Sequence, residues 1–82
     1  MFWAKKMKIE LHKSVTKYIS RLQPKEQKRI LTALYKLPNG DVKPLASRAG
    51  EYRLRVGDWR MIFKYRDDAI FVMEIDSRGS IY

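Results

Sequence analysis

Residues 7–12 (MKIELH) set Met7, Ile9 and Leu11 against Lys8, Glu10 and His12, the two-residue period of a half-buried strand. The period then changes. In KSVTKYISRLQ (13–23) the apolar set Val15, Tyr18, Ile19, Leu22 recurs at i, i+3, i+4, i+7, which predicts a short helix with Ser14 as its N-cap. A second helix is expected to open at Pro24, with Ile30, Leu31, Leu34 and Leu37 on its apolar stripe, and to stop at Pro38-Asn39-Gly40. The two form a helical hairpin whose outer faces carry Lys13, Lys17, Arg21, Lys25, Lys28, Arg29 and Lys36, read as solvated surface.

Beyond the breaker, a strand at 43–47 is placed at a sheet edge because Pro44 cannot donate to a central ladder. Strands follow at 51–56, 59–65 and 69–76, with tight connections at Gly57-Asp58 and Asp67-Asp68. The expected class is α+β: a single domain, β-α-α-β-β-β, with the helical hairpin packed on a small, mostly antiparallel sheet.

A two-residue loop at Gly57-Asp58 sets Arg55 opposite Arg60, Leu54 opposite Met61 and Tyr52 opposite Phe63. Tyr52, Leu54, Val56, Trp59, Met61 and Phe63 then share the face toward the helices, while Arg53, Arg55 and Arg60 share the other. Like charges directly opposite each other destabilise a strand pair, so this grouping points to an anionic ligand. Acids across the sheet, such as Glu74 or Asp76, are the other way of balancing it. Along IFVMEID (70–76), alternation puts Phe71, Met73 and Ile75 on one face and Ile70, Val72, Glu74 and Asp76 on the other. Which set meets the helices depends on the loop before it, and a strand apolar on both faces is the simplest reading.

Composition narrows the partner. The net charge of +9 divides into +8 over residues 1–40, +4 over 41–66 and −3 over 67–82. An excess of this size in one small domain suggests a polyanionic partner: RNA, DNA or an acidic protein. The 82 residues contain no cysteine, so packing must stabilise the fold, and a reducing compartment is compatible with that. MFWAKKMKIE is not followed by the apolar run of a secretory signal, and no stretch is long and apolar enough for a membrane span, so a cytoplasmic, soluble protein is expected. Residues 1–6 are read as an extension or an alternative translation start.

The chemistry open to these residues is limited. One histidine, no cysteine and no G-x-S-x-G exclude a hydrolase triad. The carboxylates lack metal-ligand spacing, and neither a Walker loop nor G-x-G-x-x-G occurs, so no metal and no cofactor is expected. RNA brings its own nucleophile, the 2′-hydroxyl, and its cleavage needs only positioning, positive charge and a proton shuttle. Tyr82, close after Arg78, is a candidate base, since nearby cations favour a phenolate.

The element order, the phrase GEYRLRVGDWRMIF (50–63) and the ending EIDSRGSIY (74–82) resemble the RelE/ParE superfamily of type II toxin-antitoxin toxins, and are most similar to its RelE-like branch. The resemblance covers residues 7–82. It implies a RelE-like, microbial-ribonuclease-type fold and a toxin that cuts mRNA in the ribosomal A site without metal, leaving a 2′,3′-cyclic phosphate and a 5′-hydroxyl. By the same resemblance Arg53 and Arg55 bind and orient the RNA backbone, and Arg60 stabilises the transition-state phosphate. Arg78 lies near the leaving 5′-oxygen as a candidate acid, and Tyr82 matches the tyrosine considered as base.

The chain departs from the family where relatives often carry lysine at Arg53 or Arg55, and where some carry histidine at Ser77. Arginine is a poor proton carrier, which favours an electrostatic role for Arg53 and Arg55. Relatives of the ParE type bind and poison DNA gyrase without nuclease activity, and this is the alternative function. A basic nucleic-acid-binding module without activity is a third. A cognate antitoxin protein is implied as partner, alongside mRNA and the ribosome.

Overall fold

The computed structural model describes residues 8–77 of the chain. Seven elements follow in order: β1 (Lys8–Leu11), α1 (Lys13–Ser20), α2 (Pro24–Tyr35), β2 (Val42–Pro44), β3 (Glu51–Val56), β4 (Trp59–Arg66) and β5 (Ala69–Ser77). The strands make one five-stranded sheet in the order β1-β5-β4-β3-β2. Strands β2 to β5 form an antiparallel meander, and β1 closes the far edge by pairing parallel to β5, Ile9 beside Ile70 and Leu11 beside Val72. The parallel partner of β1 could not be read locally, because the pairing joins segments about sixty residues apart.

Both helices lie on one face of the sheet, and the core forms between them. Val15 and Ile19 of α1, with Ile30 and Leu34 of α2, meet Leu54, Val56, Met61, Phe63, Ile70 and Val72. Each such side chain contributes about 1.5–3 kcal/mol when fully buried. Leu31, expected on the α2 stripe, is instead 40% exposed. Its neighbour Ile30 takes the seam with Leu34 and Leu37, and one helical step of about 100° turns Leu31 away from it.

The helix starts also differ in detail. The N-cap of α1 is His12, whose Nδ1 accepts the Ser14 N–H at 3.1 Å; Ser14, the expected cap, lies inside the helix. Helix α2 opens at Pro24 as expected, with Glu26 Oε1 accepting the Gln23 N–H at 3.2 Å. The edge strand β2 falls slightly earlier than expected and carries Pro44 at its end. Gly57, with φ of 58°, supplies the left-handed residue of the β3–β4 turn, and Asp67, with φ of 56°, does so between β4 and β5.

The hairpin of β3 and β4 has the expected register, including Arg55 opposite Arg60. Strand β5 does not keep simple alternation. Phe63 pairs with Val72 and Ile62 with Glu74, leaving Met73 as a β-bulge. The extra residue reverses parity: Ile70 and Val72 face the helices before it, and Ile75 packs against the core after it. Glu74 and Asp76 are thereby turned to the face opposite the helices. Both of the alternation sets read from the sequence are broken at this point.

Candidate functional site

The sheet face away from the helices carries Arg53 and Arg55 of β3 and Arg60, Lys64 and Arg66 of β4, all at alternate positions. The bulge adds Glu74 and Asp76 of β5, opposite Ile62 and Arg60 respectively. A cleft of about 650 Å³ opens here, lined by Arg48, Arg53, Arg60, Ile62, Glu74 and Asp76, with Tyr18 and Ser14 of α1 at its border.

Arg53 is far more enclosed than Arg55, its side chain only 12% exposed. Nη2 lies 3.5 Å from Asp41 Oδ1, yet Nε and Nη2 are buried and donate no hydrogen bond. Such donors cost about 1–3 kcal/mol each when left unsatisfied, and more on a charged group, so they are poised to gain from an incoming acceptor. Arg55 is 50% exposed, and its Nε lies 3.9 Å from Asp41 Oδ2.

The loop between β2 and β3 supplies a cation that the sequence did not single out. Arg48 Nη2 donates to Glu74 Oε2 at 2.9 Å, and its Nε forms an ion pair at 2.6 Å with the buried Glu51 Oε1. The bond to Glu74 raises the Arg48 pKa above its ordinary value, burial opposes it and the charges of Glu74 and Glu51 add to it, so this cation persists at any working pH. Farther along the face, Arg66 lies 3.4 Å from Glu10 and 4.3 Å above the Phe71 ring.

The hairpin arginines are therefore partly balanced by acids. In the cleft, three cations (Arg48, Arg53, Arg60) meet two acids (Glu74, Asp76). A larger imbalance lies elsewhere. A groove of about 590 Å³ between α2 and β3 is lined by five cations, Lys25, Lys28, Arg29, Lys36 and Arg55, against one acid, Asp41. Arg55 reaches this groove while Arg53 and Arg60 line the cleft, so the three arginines serve two adjoining basic surfaces. The α2 lysines, read from sequence as a solvated face, make up most of the second one.

Of the five residues singled out beforehand, Arg53, Arg55 and Arg60 come together on one face. Arg78 and Tyr82 lie outside the described residues. His12 is exposed and occupied in capping α1. Among the described residues no group of three or more His, Cys, Asp or Glu could hold a metal ion, and no helix is long and apolar enough to cross a membrane. Sequence reading missed Arg48, which depends on loop folding; it named Glu74 and Asp76 as acids that could balance the arginines but left their face open, because a bulge decides it.

A chain of the archaeal RelE-RelB complex from Pyrococcus horikoshii OT3 is 26% identical, covers 93% of this chain and 99% of that one, and superposes with a TM-score of 0.71. The RelB-RelE antitoxin-toxin complex from Methanococcus jannaschii contains a similar fold at 23% identity and TM-score 0.73, over 89% of this chain and 94% of that one. The toxin-antitoxin complex RelBE2 from Mycobacterium tuberculosis does so at 17% identity and TM-score 0.72, over 90% and 93% of the two chains. No curated protein matches the chain. Residues 2–82 match the family described as the ParE toxin of the type II toxin-antitoxin system parDE, and the chain thus belongs to that family, as a toxin of the RelE/ParE superfamily.

Proposed function

We propose that this toxin is a metal-independent endoribonuclease that cuts mRNA on the ribosome in the cytoplasm and is neutralised by a cognate antitoxin. The observation that carries this reading is the enclosed guanidinium of Arg53, with buried donors lacking acceptors, in a cleft that also holds Arg60. A phosphodiester in the cleft would satisfy those donors. Arg60 then neutralises charge building on phosphorus as the 2′-oxygen attacks in line and the bond to the 5′-oxygen breaks. Arg55 extends cationic contact along the strand, and Arg78 and Tyr82 are the acid and base candidates that the family implies. The antitoxin follows from the relatives, which are found in RelE-RelB complexes.

The test maps mRNA 5′ ends in a translating cell-free extract given the purified chain, Arg60→Ala or Tyr82→Phe. Cleavage at ribosome-occupied codons, reduced about 10²–10³-fold by Arg60→Ala, is the expected result. Tyr82→Phe then reports whether the tail supplies the base. The family match to ParE favours a second reading, inhibition of DNA gyrase by a non-catalytic toxin. Intact mRNA with blocked gyrase would establish it.

A further inference from the structure

The Met73 bulge does more than repair the core. It brings two carboxylates, Glu74 and Asp76, into the cleft with Arg53 and Arg60. They are not equivalent. Glu74 accepts the 2.9 Å hydrogen bond from Arg48 and is held in that pair. Asp76 stands directly across from Arg60 and is half-buried. Its Oδ1 accepts the Ser77 N–H at 2.9 Å, which orients the carboxylate, and Oδ2 carries lone pairs able to take a proton.

We infer that Asp76, in place of Tyr82, is a catalytic residue, the general base that takes the proton from the attacking 2′-hydroxyl. The inference rests on the nuclease reading and deepens it. Oδ2 of Asp76 removes the 2′ proton, the 2′-oxygen forms its bond to phosphorus, the P–O5′ bond breaks, and water protonates the departing 5′-oxygen. Register places the carboxylate beside the arginine that would hold the same phosphate, as a base must be within hydrogen-bond reach of the proton it abstracts. Among the described residues, the charged and titratable groups that line the cleft with Asp76 are Arg60 from β4, Arg53 from β3, Arg48 from the β2–β3 loop, Glu74 from its own strand and Tyr18 from α1.

The experiment measures single-turnover cleavage of labelled mRNA on stalled ribosomes as a function of pH, for wild type, Asp76→Asn and Asp76→Glu. Expected is a loss of at least about 10²-fold for Asp76→Asn with the acid limb of the rate profile removed, and substantial recovery in Asp76→Glu. Affinity for the same mRNA with a 2′-deoxy nucleotide at the scissile position should be unchanged or tighter in Asp76→Asn, since a negative charge has left a phosphate site. Near wild-type cleavage by Asp76→Asn would overturn the assignment. So would slower cleavage with an unchanged pH profile or weakened binding of the deoxy mRNA, either of which would mark Asp76 as positioning Arg60. A wild-type chain that leaves ribosome-bound mRNA intact would remove the nuclease reading itself, and this inference with it.

Discussion

Arg55 and Arg60 stand directly opposite each other across the β3–β4 pair, on the sheet face that the helices leave open. Like charges at such a position destabilise the pair by about 0.2–1 kcal/mol. Replacing Arg55, 50% exposed, by Gln should therefore raise stability to urea by a few tenths of a kcal/mol at most, while lowering RNA affinity. Urea unfolding and RNA binding, measured on the same preparation, check the opposite signs. A loss of stability would mean that the pairing with Asp41 outweighs the repulsion.

Phe63 has no exposed surface and its ring lies 5.6 Å from Tyr52 and 5.9 Å from Tyr65. Phe63→Ala is expected to cost about 3–5 kcal/mol. That is a large share of the roughly 5–15 kcal/mol typical of a domain, so thermal unfolding should begin far earlier or the variant should fail to fold.

Gly57 combines a φ of 58° with close packing, since a Cβ there would meet the Arg29 guanidinium at 2.9 Å. Arg29 can shift, but the backbone strain remains. Gly57→Ala should lower stability by about 1–2 kcal/mol in chemical denaturation.

Deleting Met73 should leave the protein cooperatively folded, because the regular strand that results keeps Val72 and Ile75 toward the helices and Glu74 and Asp76 away from them. Deleting Ile62 from the facing strand should unfold it. Met61 and Phe63, neither with any exposed surface, would become consecutive, and one of them would have to leave the core. Circular dichroism and thermal melts separate the two outcomes.

The α2 groove should govern long-range attraction. Changing Lys25, Lys28, Arg29 and Lys36 to Gln is expected to weaken binding to single-stranded RNA and to flatten its salt dependence by about 0.7 in log–log slope for each phosphate no longer neutralised. An unchanged slope would show that these cations do not touch the RNA.

Local patterning by itself determined much of this protein. The alternation of Ile9 and Leu11, the helical spacing of Val15 and Ile19, and the turn at Gly57 are consequences of side-chain period and backbone sterics within a few residues, so they can be read without knowing the rest of the fold. The shared face of Arg53, Arg55 and Arg60 belongs to the same class, because a two-residue loop dictates the register of the whole hairpin. Only the tertiary structure decided where β5 would break its alternation. Burying Ile70 and Val72 together with Ile75 requires one extra residue between them, and the energetic gain appears only once the helices cover that face. The same packing put Asp76 across from Arg60, brought Arg48 from a loop onto Glu74, and made Arg55 and the α2 lysines line one groove. These relations join residues far apart in sequence, and no local period encodes them.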